Sequence, residues 1–175
     1  PINKIIVATN TNDILDRVFK TGVYKSDIVR KTLSPSMDIQ VASNFERLLF
    51  DLLNNDAKVV GKLMNDLSKK GHFNLEKSIL TLISKDFVSG MVTDKDTMTT
   101  INHFFNERDI TLCPHSAIGV CVAQDFVDTG ETVVSLGTAH PAKFKETVEQ
   151  ALDTSISIPM ALQNIMEKQE SVRVI

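Results

Sequence analysis

The stretch KIIVAT, Lys4–Thr9, decides the fold. Ile5, Ile6 and Val7 follow one another without a polar residue between them. A strand with one wet face alternates, whereas an unbroken apolar run suits a strand covered on both faces, as in a parallel sheet. Asn10–Asn12 then turns the chain. In DILDRVFKTG, which follows, Ile14, Leu15, Val18 and Phe19 share one helical face and Gly22 stands where a helix stops.

The same alternation continues along the chain. TLSPSMDIQ carries a Ser-Pro-Ser and reads as a loop, because a residue before proline avoids the helical region. SNFERLLFDLL starts a helix, with Ser43 and Glu46 at capping-box spacing and Phe45, Leu48, Leu49, Leu52 and Leu53 on its apolar stripe. A second helix covers AKVVGKLMNDLSKK and ends at Gly71; a third covers NLEKSILTLIS, with Asn74 as the expected cap. The period then changes. Phe87–Val92 reads as a strand, Thr93 or Asp94 caps a helix through TMTTINHFFNE, and another helix begins near Pro114, carrying the small residues Ala117, Gly119 and Ala123. Thr132–Leu136 reads as the last strand. PAKFKETVEQAL is a helix with Pro141 at its first position, where a missing N–H costs nothing, and MALQNIM is a short terminal helix. Strands alternating with helices give an α/β fold, part of a mainly parallel open sheet with helices on both faces. The 175 residues are read as one domain. The few strands, and an apolar run that begins almost at Pro1, lead us to expect a piece of something larger.

Composition narrows the function classes. Of the residues 42% are hydrophobic and 23% charged, and 19 basic against 22 acidic residues give a net charge of −3. No basic excess points to nucleic acid, and no apolar run is long enough for a membrane span. Two cysteines, Cys113 and Cys121, form neither a disulfide framework nor a zinc pattern, which fits a cytoplasmic setting.

The stretch with chemistry in it is VVSLGTAHPAKF, Val133–Phe144. Ligands of parallel α/β sheets sit beyond the carboxyl ends of the strands. Thr138 stands just past such an end, after a glycine, and His140 stands where the next helix needs its cap. The Thr138 hydroxyl can contact a ring nitrogen or carbonyl of a ligand, or simply satisfy a loop backbone group; pattern alone leaves both open. Cys113 and His115 in CPHS look superficially like a thiol and its base, but nothing in sequence activates the thiol, and packing is the expected role. His72 and His103 read as exposed; Asp13, Asp16, Asp94 and Asp96 read as caps or solvated carboxylates. The glycines are scattered, so there is no phosphate-cradling loop.

Four stretches together, IIVATNTNDILDRVFKTGVY, TLSPSMDIQVASNFERLLFDLL, CPHSAIGV and LGTAHPAKF, resemble the C-terminal portion of threonine synthase of the bacterial and fungal type, from about Ile5 to about Leu162. The resemblance implies the tryptophan-synthase-β-like fold, pyridoxal 5'-phosphate as cofactor, and conversion of O-phospho-L-homoserine and water to L-threonine and phosphate. It implies that Thr138 meets the cofactor's ring nitrogen. The family's Schiff-base lysine, its loop for the cofactor phosphate and its substrate-phosphate cluster lie in N-terminal motifs that have no match here; Lys143 and Lys145 match the C-terminal motif instead. No catalytic residue and no metal ligand carries over. These residues are thus expected to be inactive alone and to need the remaining N-terminal part of the same enzyme. The alternatives are a non-catalytic threonine-synthase-like module that binds a ligand, and a generic α/β interaction domain whose incomplete sheet leaves an unpaired edge.

Overall fold

Two strands lie parallel at the centre of the computed structural model, which describes residues 2–127, 130, 132–166, 168–169 and 171–173. They are β1 (Ile5–Thr9) and β4 (Phe87–Met91), in register from Ile5 against Phe87 to Thr9 against Met91. Between them in sequence come α1 (Ile14–Thr21), β2 (Val23–Lys25), α2 (Phe45–Leu52), α3 (Ala57–Lys70), β3 (His72–Asn74) and α4 (Lys77–Asp86). After them come α5 (Asp94–Arg108), α6 (Pro114–Gln124), α7 (Lys145–Leu152) and α8 (Met160–Met166). Pro1 lies outside the described residues.

The sheet is covered on both faces, and two adjacent residues of β4 show it. Ser89 donates to Asp16 of α1 at 2.8 Å, whereas a Cβ placed on Gly90 would lie 2.7 Å from Val122 of α6. Neighbouring strand residues point to opposite faces, so α1 and α6 flank the sheet. The contiguous apolar run in β1 is the consequence of that double cover. On the α6 side, Val92, Ile118 and Val122 form a core joined by Ile6 and Ala8. Helix α6 has no polar stripe: Pro114–Ile118 are buried, and so are Val122 and Ala123. Its far side packs with Ile101 of α5 and Val148 and Leu152 of α7.

A second core lies on the α1 side. Ile14 and Val18 pack with Tyr24, Phe45, Leu49 and Phe73. The Tyr24 ring is stacked between Phe45 and Phe73, with centroids 5.1 and 4.9 Å away. Stacked aromatic pairs add about 0.5–1.5 kcal/mol beyond the area they bury. Tyr24 and Phe73 face one another across the antiparallel pair β2–β3, a two-stranded piece too short to read in the sequence.

Helix ends follow the expected chemistry in most places. Gly22 closes α1 at φ +77°, with its N–H on the Val18 carbonyl, and Gly71 closes α3 in the same way. Thr93 and Asp96 form a reciprocal capping box on α5. Four expectations fail. PAKFKETVEQAL is not one helix: Pro141–Phe144 forms a 3-10 turn, and α7 begins only at Lys145. Ser43 and Glu46 form no capping box, because the helix begins one residue later with Asn44 at its cap. Asn74 belongs to β3, so α4 starts after Glu76. Thr132–Leu136 forms no strand: the segment has no ladder partner, and Val134 and Leu136 are 77% and 80% exposed. A strand needs a neighbour for its backbone N–H and C=O groups, and none of the described residues supplies one. The parallel sheet among the described residues therefore has two strands.

Candidate functional site

The carboxyl end of β1 leads directly into a polar network. Asn10, just past the strand, donates from its amide nitrogen to the Thr32 hydroxyl at 2.8 Å, the Ser34 hydroxyl at 2.9 Å and Asp38 Oδ1 at 2.8 Å. Asp38 Oδ1 also accepts from Asn12 Nδ2 at 3.1 Å and from the Thr32 hydroxyl at 2.6 Å; Oδ2 accepts the Thr32 N–H at 3.0 Å. Asn10, Asn12 and Ser34 are buried, so each needs these partners. The network pins the loop around the 3-10 turn Pro35–Met37 against the end of the strand.

That loop reaches α6. The Ser36 N–H donates to Nε2 of His115, in the first turn of the helix, at 3.2 Å. An accepting Nε2 places the proton of a neutral imidazole on Nδ1. Nδ1 is buried and has no partner among the described residues. Burial above all, then the Lys143 charge, hold His115 below its usual range, and Asp38 opposes them weakly. The ring lies 4.5 Å from that of Phe144.

One residue on, Ser116 meets Thr138. The Thr138 N–H donates to Ser116 Oγ at 3.0 Å, and the two hydroxyl oxygens are 3.1 Å apart. The Cys113 sulfur lies 3.2 Å from Ser116 Oγ and 3.4 Å from Thr138 Oγ1. Cys113 caps α6, accepting the Ser116 N–H. Burial raises the Cys113 thiol, but hydrogen bonds from Ser116, Thr138 and the Ser116 and Ala139 backbone outweigh it and leave its pKa below the usual value. Cys113 is buried and His115 faces Ser36, so the two do not form a thiol–imidazole pair.

Thr138 itself is exposed, and space is open beside Gly137. It follows an unpaired segment, not the strand end that the sequence reading placed before it; Ser116 links it to the first turn of α6, where His115 meets the loop past the end of β1. His140 caps the next turn as expected, its Nδ1 accepting the Ala142 N–H at 3.1 Å. The other candidates stay apart from Thr138. His72 and His103 are exposed, Lys145 pairs with Glu149, and Lys143 lies over the Phe144 ring. Asp13 pairs with Arg17. Asp16 departs from expectation: it is buried, and Lys20 and Ser89 satisfy it. The surface hollow bordered by Met98, Asn102, His103 and Ala151 includes no part of the Thr138 cluster. Sequence reading missed Ser116 as the partner of Thr138; the proximity of CPHS to the start of a helix was its only trace.

Comparison with known proteins gives this arrangement its context. A crystal structure of PLP-bound threonine synthase from Brucella melitensis matches with a TM-score of 0.93 and 42% identity, over 100% of this chain and 38% of that one. A curated threonine synthase from Pseudomonas aeruginosa is 40% identical over 177 residues, covering 100% of this chain and 38% of the relative. The threonine synthase of Saccharomyces cerevisiae is 43% identical over 170 residues, covering 87% of this chain and 33% of the relative. The family model described as "Threonine synthase, C-terminal" matches residues 116–175. These findings define an α/β protein of the tryptophan-synthase-β-like class. Within that class, the chain corresponds to the C-terminal portion of threonine synthase. It spans 33% and 38% of the length of those two curated relatives.

Proposed function

We propose that these residues form one wall of the active site in a pyridoxal-phosphate-dependent threonine synthase, a carbon–oxygen lyase acting on O-phospho-L-homoserine to give L-threonine and phosphate. The observation that carries the reading is Thr138: an exposed hydroxyl, bonded to neutral partners, held by Ser116 in the helix turn whose His115 meets the loop past the carboxyl end of β1.

The donor set fits the cofactor. Thr138 can donate to the ring nitrogen, and a neutral hydroxyl leaves that nitrogen largely unprotonated, where a carboxylate would hold a proton on it. One such bond anchors the ring by about 0.5–1.5 kcal/mol. The open space beside Gly137 leaves room for a flat ring, and the His140 cap turns the chain sharply away from it. When bound, the cofactor supplies an electron sink for proton loss at the amino-bearing carbon and at the carbon beside it.

The exposed Val134 and Leu136, on a segment without ladder partners, support a further element of the reading: the remaining N-terminal part of the same enzyme packs there and supplies the Schiff-base lysine. The described helices include none long and apolar enough to cross a membrane, and with free cysteines this supports work in the cytoplasm.

The test is cofactor titration of the complete enzyme and of residues 1–175 alone, followed by visible absorbance. Uptake by the complete enzyme, weakened several-fold in Thr138→Val, is expected, with no stoichiometric borohydride-fixed cofactor on the isolated residues. A specific lysine of these residues fixed in full would sink the reading.

A further inference from the structure

We infer that Ser116 is a positioning residue that makes Thr138 a hydrogen-bond donor to an incoming aromatic nitrogen. The inference rests on the reading of Thr138 given above.

A threonine hydroxyl beside a ring nitrogen is useful only if its proton points at the ring. Left alone, the hydroxyl rotates and can present a lone pair instead. The geometry around Ser116 removes that freedom. Ser116 Oγ accepts the Thr138 N–H at 3.0 Å, which fixes the backbone of Thr138 and occupies one Ser116 lone pair. The Ser116 hydroxyl proton then has two acceptors in reach, Thr138 Oγ1 at 3.1 Å and the Cys113 sulfur at 3.2 Å. Oxygen is the stronger acceptor; sulfur accepts only weakly, and Cys113 already takes the Ser116 N–H. A Ser116 proton given to Thr138 Oγ1 leaves the Thr138 proton two directions: the Cys113 sulfur at 3.4 Å, a weak acceptor, and the open side beside Gly137, where an aromatic nitrogen is the stronger acceptor. Two hydroxyls in series also polarise one another, so the outer donor is strengthened.

Ser116 is itself held rigidly. It is buried, on the first turn of α6, and its neighbour His115 is tied through Ser36 to the loop at the carboxyl end of β1. The sheet, the loop and the helix therefore fix where the outer hydroxyl stands.

The experiment is nitrogen-15 NMR of the complete enzyme loaded with pyridoxal phosphate labelled at the ring nitrogen, together with cofactor affinity. Ser116→Ala should shift the ring signal toward that of an unbonded pyridine and weaken affinity about tenfold, while Ser116→Thr restores both. Cys113→Ala should leave the signal in place; a shift as large as that of Ser116→Ala overturns the assignment to Ser116. Should Ser116→Ala match the wild type while Thr138→Val shifts the signal, Ser116 has no such role and the reading of Thr138 stands. An unchanged signal in Thr138→Val, or no cofactor uptake by the wild type, overturns the reading of Thr138 and this inference with it. A measurement on the wild type alone covers the case of an unfolded variant. The Thr138 amide, which has no sheet partner, should exchange slowly with solvent; exchange at the rate of a free loop overturns the inference.

Discussion

Gly90 and Val122 meet so closely that any side chain on residue 90 collides with the helix: a Cβ there would lie 2.7 Å from Val122 Cγ1 and 3.1 Å from Cγ2. The contact sets the distance between β4 and α6, and α6 carries Ser116 and His115. Gly90→Ala is expected to destabilise by about 1–3 kcal/mol through overpacking. Val122→Ala in the same molecule should recover part of that loss, because the colliding methyl groups are gone. Urea unfolding of the two single variants and the double variant measures the coupling, and strict additivity would show that the helix moves aside instead.

Tyr24 holds Ala42 through a hydrogen bond as well as through packing. The Ala42 N–H donates to the Tyr24 oxygen at 2.8 Å, and both residues are buried. Tyr24→Phe keeps the stacked rings but leaves that N–H without its acceptor. The expected cost is about 1–3 kcal/mol, read from the shift in the denaturation midpoint. Tyr24→Ala also empties the space between Phe45 and Phe73 and should cost about 3–5 kcal/mol.

Asp38 collects donors from Asn10, Asn12 and Thr32. Asp38→Ala removes the acceptor of the Thr32 N–H and one acceptor each from the buried Asn10 and Asn12, which keep Ser34 and Arg30 as partners, and a loss of about 1–3 kcal/mol is expected. Limited proteolysis should then cut within residues 30–40, which the native network protects. Resistance equal to that of the wild type would show that the loop is held by other means.

His115 gives a pH dependence of definite sign. Burial and the Lys143 charge lower its pKa in the fold. The unfolded chain takes up the proton near the ordinary value of about 6.5, the folded chain only at lower pH. Its contribution to stability is thus present above about pH 6.5 and is lost as pH falls through the depressed value. Unfolding free energies measured between about pH 7 and about pH 5 should fall more steeply in the wild type than in His115→Gln, which keeps an acceptor for Ser36 without the titration. Parallel profiles would remove His115 as the source.

Local signals in the sequence were reliable where local physics decided the outcome. The unbroken Ile5–Val7 run, the glycines after α1 and α3, Thr93 with Asp96, and Pro141 behind His140 each act within a few residues, and each behaves as its chemistry requires. Caps competed with alternatives that pattern cannot rank. Asn74 was claimed by pairing with Val23, a partner far away in sequence. Thr132–Leu136 has the composition of a strand, yet composition cannot supply the neighbour that a ladder needs. The candidate site was half legible. Thr138 stood out because glycine, hydroxyl and helix start coincide in LGTAHP; Ser116, Cys113 and the Asn10–Asp38 network did not, because each joins segments that only the fold brings together.

The pairing of β1 with β4 joins positions far apart in the chain, Ile5 with Phe87 at one end and Thr9 with Met91 at the other. Such a ladder cannot begin until nearly half of these residues have left the ribosome, and closing so large a loop is slow. The aromatic stack around Tyr24 is built entirely from the chain in between. A nascent chain can thus consolidate that stack first and present β1 to β4 from a preassembled platform, so that lesions in the stack would be felt as delayed maturation of a sheet they do not touch.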